Sequence, residues 1–278
     1  MSIARATIGL LRAAHPEPAI AVTIGASALA AIAGRGLGGV VAVTLTVAAS
    51  QLAVGWHNDW LDADRDAATG RRDKPIVTAD VSRRLGGVFA VIAAVATVPL
   101  AFLSGPTAAA AAILGMLSSL SYNWPLKFTM LSVLPYVVSF AALPAFVVLG
   151  LPGSPRPPWW LIVAGACLGG GAHFANVLSD LDDDARTGVH GLPHRLGLRG
   201  STVATGILLG IASALLVFGP DGPPAATALV GFAAALVVLL AGAYGQWRRP
   251  ASRNAFRAVI VAALIDVALL LTAGTVIR

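Results

Sequence analysis

The sequence predicts an all-α fold: a polytopic membrane protein of nine transmembrane helices around a central cavity, read as one domain over residues 1–278. Three observations predict it. Of 278 residues, 57% are hydrophobic and only 12% charged, against about a quarter charged in soluble globular domains. The mean hydropathy is +0.81, so lipid is the solvent this composition requires. Nine mainly apolar windows approach the roughly 20 residues that a helix needs to cross a bilayer, and the basic residues concentrate on alternate sides of those windows.

The windows follow one another at about 17–34, 38–57, 85–103, 106–122, 130–150, 159–178, 201–219, 224–244 and 256–275. Ahead of the first, MSIARATIGLLRAAHPEPAI lacks a long apolar core followed by a small-residue cleavage site, so no removable signal peptide is expected. Its Arg5 and Arg12 suit a short amphipathic stretch at the membrane surface, and a disordered tail is the alternative. Short breakers join the windows on one side: Gly36, Ser104-Gly105-Pro106, the Pro-rich GLPGSPRPPWW and GPDGPP. The connections 58–84, 179–200 and 245–255 are longer and more charged.

With the N-terminus inside, 16 of the 19 basic residues face the cytoplasm and only Arg35, Arg156 and Arg278 remain outside. The positive-inside rule therefore orients the chain with its C-terminus outside. The net charge of +6 is explained by this topology, and no nucleic-acid partner is expected. Cys167, the single cysteine, excludes an intrachain disulfide framework and a thiolate metal cluster, and reads as a small packed side chain.

Ten of the 13 acidic residues lie in two segments, 59–80 and 180–184. These belong to an internal repeat at an offset of 118 residues. NDWLDADRDAATGRRDKP (58–75) and NVLSDLDDDARTGVHGLP (176–193) share eight of 18 positions, among them Asn58/Asn176, Asp62/Asp180, Asp66/Asp184 and Gly70/Gly188. Both copies follow an even-numbered span and so emerge on the same side, facing one cavity. Within each copy Asn, Asp and Asp recur at i, i+4 and i+8, which places them on one face of a helix extended past the membrane. Like charges at this spacing repel, so a counter-charge is required. Hard oxygen donors without cysteine, and His57, His173, His190 and His194 off zinc spacing, favour Mg²⁺ over Zn²⁺. The adjacent Arg71, Arg72, Lys74, Arg186 and Arg195 call for a polyanion bridging metal and cations, and a diphosphate carrying an isoprenoid tail fits both requirements in a membrane protein.

At these residues the chain resembles the UbiA superfamily of intramembrane prenyltransferases, which carry two aspartate-rich motifs after the second and sixth of nine helices. The resemblance spans essentially the whole chain and includes Asn58-DWL-Asp62-ADR-Asp66, the downstream GRRDKPI, the SYNWPLK segment and Asn176-VLS-Asp180-LDD-Asp184. It implies that Asn58, Asp62, Asp66, Asp180 and Asp184, joined by Asn176 at the repeated position, hold Mg²⁺ around the diphosphate of an allylic isoprenoid. Tyr122 and Lys127 would bind or orient that diphosphate. Tyr122 also reads as an interfacial aromatic anchor, and Lys127 as a topology determinant.

The function this implies is transfer of the isoprenoid group to a lipophilic or aromatic acceptor, by ionisation of the prenyl diphosphate donor in a cavity closed to water. A terpene cyclase with the same diphosphate site is an alternative, and a transporter is a weaker one, because the acids cluster at a membrane edge and few charges lie within the spans. Asp64, Asp182 and Asp183 fall off the acidic stripe, and solvated helix surface is the reading for them. Asp59 reads as a cap or a ligand. Asp266 lies inside the ninth span, where a charge needs a polar partner that the sequence does not identify.

Overall fold

A computed structural model of the protein describes residues 3–249 and 252–272. The side chain of Asp182 and the C-terminal Arg278, part of the orientation argument, lie outside the described residues. Secondary structure among the described residues is helical: α1 (Ile3–Ala13), α2 (Pro16–Ile32), α3 (Leu37–Ala68), α4 (Arg83–Phe102), α5 (Pro106–Asn123), α6 (Leu134–Leu149), α7 (Trp159–Val177), α8 (Leu181–Arg186), α9 (Leu192–Phe218), α10 (Ala226–Arg248) and α11 (Asn254–Thr272). Two 3-10 turns, Leu126–Phe128 and Met130–Val133, connect α5 to α6.

Local chemistry sets the helix starts. Proline stands at the first or second position of α2, α5, α6 and α9, where its missing N–H costs nothing and its fixed φ suits the helix. Ser82 caps α4 by accepting the Leu85 N–H at 3.2 Å. The repeat's matched glycines stop both acidic segments: Gly70 follows α3 at φ 69° and Gly188 follows α8 at φ 82°, a left-handed conformation that a side chain would strain.

Among the described residues, six helical segments are long and apolar enough to cross a membrane: α3, α4, Met130–Leu149 with α6, α7, α9 and α10. Helix α2 is apolar but only 17 residues long. The expected windows fall on α2 to α7 and α9 to α11. The predicted ninth window runs on to 275, past the described part of α11.

These helices pack as a ring. Each contacts the next in the order α2, α3, α4, α5, α6, α7, α9, α10 and α11, and α11 closes back on α2. Small residues let the walls approach closely. A Cβ on Gly165 or Gly169 of α7 would run into the carbonyl oxygens of Phe140 or Tyr136 on α6, the close backbone approach typical of helices packed in lipid. Outward faces stay apolar, with Val91, Val95, Val230 and Leu240 each more than half exposed, as a lipid-facing surface requires.

Helix α3, at 32 residues, is about 48 Å long, well beyond the roughly 30 Å of a bilayer core. Its last turns, on which Asp59, Asp62 and Asp66 are buried, carry the first acidic repeat. The second repeat departs from the expected continuous helix: α7 stops at Val177 and α8 starts at Leu181, with Asp180 at φ −115° between them. Ser179 and Asp180, residue types of low helix propensity, lie in the break. Ahead of the ring, the amphipathic α1 lies across α3, where Trp56 Nε1 donates to the Leu10 carbonyl at 2.8 Å.

Candidate active site

The two acidic repeats meet at one end of the ring. Asn58, Asp62 and Asp66 share a face of α3, and Asn58 Nδ2 donates to Asp62 Oδ2 at 3.1 Å. Opposite them, Asn176 ends α7, Asp180 precedes α8 and Asp184 lies within it. Arg65 joins the two copies: its guanidinium donates to Asp62 at 2.7 Å and to Asp184 at 2.9 Å. Arg71 reaches Asp180 at 3.5 Å while gripping Asp73 at 3.0 Å with two nitrogens.

Lys127, on the first 3-10 turn, donates to the other oxygen of Asp62 and is only 4% exposed. Lys74 donates to Asp59 at 2.6 Å and stands 3.9 Å from Asp66. Asp59 therefore serves a buried network in which His15 Nε2 also lies at 3.0 Å. Four carboxylates (Asp62, Asp66, Asp180, Asp184) are thus paired with four cations (Arg65, Arg71, Lys74, Lys127).

Burial pushes the Lys127 ammonium below the ordinary lysine range, and the attraction of Asp62 offsets this only in part. The hydrogen bonds to Asp73 hold Arg71 above its usual value, and the same contact holds the Asp73 carboxyl below the usual carboxylate range. In a partly dry site each such pair depends on its partner, because removing one member leaves a buried charge uncompensated.

Beneath these charges lies a cavity of about 310 Å³. His15, Asn58, Tyr122, Asn123 and Asn176 form its polar lip, and apolar side chains of α2, α6, α7, α9 and α11 form most of its deeper wall. Tyr122 meets Tyr136 and His173 edge-on at centroid distances of 5.0 and 5.5 Å. Asn176 Nδ2 donates to the Tyr136 hydroxyl at 3.4 Å, and Asn123 Oδ1 accepts from Asn58 at 3.4 Å.

Of the residues singled out from sequence, Asn58, Asp62, Asp66, Arg71, Lys74, Tyr122, Lys127, Asn176, Asp180 and Asp184 gather at this lip. Three do not. Arg72 and Arg195 are exposed, and Arg186 is exposed beside Asp183 at 3.3 Å. Arg65 and Asn123 were missed. Arg65 carried a signal, since it occupies the repeat position of Asp183 and so reverses charge between the copies. Among the described residues, no three His, Cys, Asp or Glu side chains gather into a set able to hold a metal by themselves.

A ring of long apolar helices with an acidic and basic lip over an apolar chamber defines a polytopic helical membrane protein. The chain belongs to the UbiA prenyltransferase family, whose pattern it matches over residues 19–269. A search of curated protein sequences finds no match.

Among solved structures, an apo UbiA homologue from Aeropyrum pernix K1 is similar at a TM-score of 0.72 and 20% identity, covering 92% of this chain and 98% of the homologue. A UbiA homologue from Archaeoglobus fulgidus, bound to DMAPP and Mg²⁺, is similar at a TM-score of 0.72 and 16% identity, covering 95% and 96%. A digeranylgeranylglyceryl phosphate synthase is similar at a TM-score of 0.66 and 15% identity, covering 98% and 99%. At these identities the likeness is one of fold.

Proposed function

We propose that this chain transfers an isoprenoid group from an allylic prenyl diphosphate to an electron-rich aromatic or hydroxyl acceptor, as an integral membrane protein. Its topology is nine spans in one domain, with the acidic lip and N-terminus at the cytoplasm and the C-terminus outside. The observation that carries this reading is the union of both acidic repeats, tied by Arg65, over the polar lip of an apolar cavity. Family membership and the DMAPP and Mg²⁺ bound by the Archaeoglobus homologue support it.

The donor set suits Mg²⁺. It offers hard carboxylate and amide oxygens without a closed protein cage, and Mg²⁺ is commonly held by one or two carboxylates together with phosphate oxygens and water. Asn58, Asp62 and Asp66 from one repeat, and Asn176, Asp180 and Asp184 from the other, would hold it. Once bound, Mg²⁺ supplies Lewis-acid charge to the leaving diphosphate.

The chain's own cations do the rest of the electrostatic work. Arg65, Arg71, Lys74 and Lys127 exchange carboxylate partners for phosphate oxygens, so the headgroup enters a site whose donors are already in place. As the allylic C–O bond breaks, both its electrons leave with the diphosphate, and these cations stabilise the charge. Arg72 and Arg186 at the exposed rim attract the headgroup from a distance.

Tyr122 at the lip and Tyr136 beside it both line the cavity, where an aromatic ring favours a nearby carbocation through its quadrupole. The acceptor's electron pair then forms the new bond, and the acceptor loses a proton. The apolar wall keeps water from competing.

Diphosphate release from geranyl diphosphate by the purified protein tests this, with Mg²⁺ or with EDTA and with a lipid extract of the host as acceptor source. Release is expected only with Mg²⁺, together with a product heavier than an acceptor by one prenyl group in mass spectra. Absence of release with donors of every length, from folded protein, would overturn the reading.

A further inference from the structure

Asn123, the last residue of α5, is 2% exposed and hydrogen-bonded through both polar atoms of its side chain. Its Nδ2 donates to the Val54 carbonyl of α3 at 3.0 Å. A carbonyl oxygen only accepts, so this bond fixes which end of the Asn123 amide is nitrogen. The same nitrogen lies 3.2 Å from His57 Nδ1, and since an amide nitrogen does not accept, His57 Nδ1 takes its second hydrogen. What remains of Asn123 is Oδ1, an acceptor only.

That oxygen faces Asn58, whose Nδ2 donates to it at 3.4 Å. Asn58 Nδ2 also donates to Asp62 Oδ2 at 3.1 Å. The Asn58 nitrogen is therefore committed to two acceptors, while its Oδ1 accepts from none of the described residues. Flipping this amide would set oxygen against oxygen at both contacts. Of the two acceptors, Asn123 is the fixed one. Asp62 also accepts from Arg65 and Lys127 and is a metal ligand in the proposed function, so its partners change when a cation binds. Asn123 is anchored to the backbone of α3 and keeps its partners throughout.

We propose that Asn123 is a positioning residue, holding the Asn58 amide so that its oxygen and not its nitrogen is presented to the metal ion at the lip. This deepens the proposed function and rests on it. Mg²⁺ takes oxygen ligands, whereas the NH₂ end of an amide only donates and turns partial positive charge towards a cation. An unguided asparagine offers either end. Val54, Asn123 and Asn58 form a relay that carries the polarity of a backbone carbonyl to the ligand atom. Partners that orient a metal ligand in this way typically change metal affinity by about 10–100-fold when removed.

The test is the dissociation constant of Mn²⁺, a probe that shares the oxygen preference of Mg²⁺, read from the EPR signal of the free ion in the presence of inorganic diphosphate. It is measured on the full-length wild type, Asn123→Leu, Asn123→Ser, Asn58→Ala and the double variant Asn58→Ala/Asn123→Leu, each confirmed folded by its melting temperature. Leucine is close to asparagine in size but neither donates nor accepts. Each Asn123 variant is expected to raise the constant by about tenfold or more, and Asn58→Ala by at least as much. The double variant is expected to bind no more weakly than Asn58→Ala, because Asn123 acts only through Asn58. Losses that multiply in the double variant would mean that Asn123 merely ties α5 to α3, and would overturn the proposal. Folded Asn123 variants that keep the wild-type constant overturn it as well. If neither of them folds, Asn58→Ala still tests it, since a wild-type constant there leaves the relay nothing to position. Wild-type protein that binds no Mn²⁺ beside diphosphate would instead overturn the proposed function beneath it.

Discussion

Lys127 shows how single residues at the lip are tuned. It is buried against Asp62 on a short 3-10 turn, and burial lowers its pKa from the ordinary lysine value. In the proposed function the ammonium is the form that binds the anionic headgroup. In the free enzyme kcat/KM is therefore expected to hold at lower pH and to fall as pH rises through this lowered value, before the ordinary lysine range near about 10.4. In the same window the unfolded chain binds more protons than the folded one, so folding stability gains with pH while activity is lost. Lys127→Arg keeps its charge throughout and should remove this alkaline limb from the profile of diphosphate release; an unchanged limb in that variant would assign it to another group. Arg65 matters at the same scale, since one guanidinium binds both repeats. Its role follows from a contact between α3 and α8, and only the charge reversal within the repeat hinted at it.

At the scale of elements, the packing of α6 on α7 positions the chamber wall. Tyr136 and Phe140 face glycines of α7, and a Cβ on Gly169 would meet the Tyr136 carbonyl and the Phe140 ring. Gly169→Val is expected to destabilise the protein by about 1–3 kcal/mol through overpacking, lowering its melting temperature by roughly 2–10 °C. Thermal unfolding in detergent measures this, and an unchanged melting temperature would mean that the helices have room to separate.

The sequence made these elements legible to different degrees. Hydrophobic windows located the long helices because an apolar run in this composition has few other fates. The i, i+4, i+8 pattern placed Asn58, Asp62 and Asp66 on one helical face because α3 continues without a break. The same pattern overextended α7, where Ser179 and Asp180 interrupt the helix. The partnership of Asp266 with Ser213, and that of Asp59 with His15 and Lys74, join distant segments. No local periodicity encodes such pairings.

At the scale of the whole molecule, the ring closes α11 against α2 and places both acidic repeats over one chamber. The central claim is that the repeats act as one ionisation site, with Asp62 and Asp180 on opposite sides of a shared headgroup. Independent sites contribute separately, whereas groups that act as a unit lose their effect together. The most direct test is single-turnover diphosphate release by the wild type, Asp62→Asn, Asp180→Asn and the double variant, each at saturating Mg²⁺ and confirmed folded. The account predicts that either single substitution lowers the rate by about 10²-fold or more, and that the double variant is no slower than the worse single one. Losses that multiply in the double variant, or a single variant that keeps wild-type release, would contradict it.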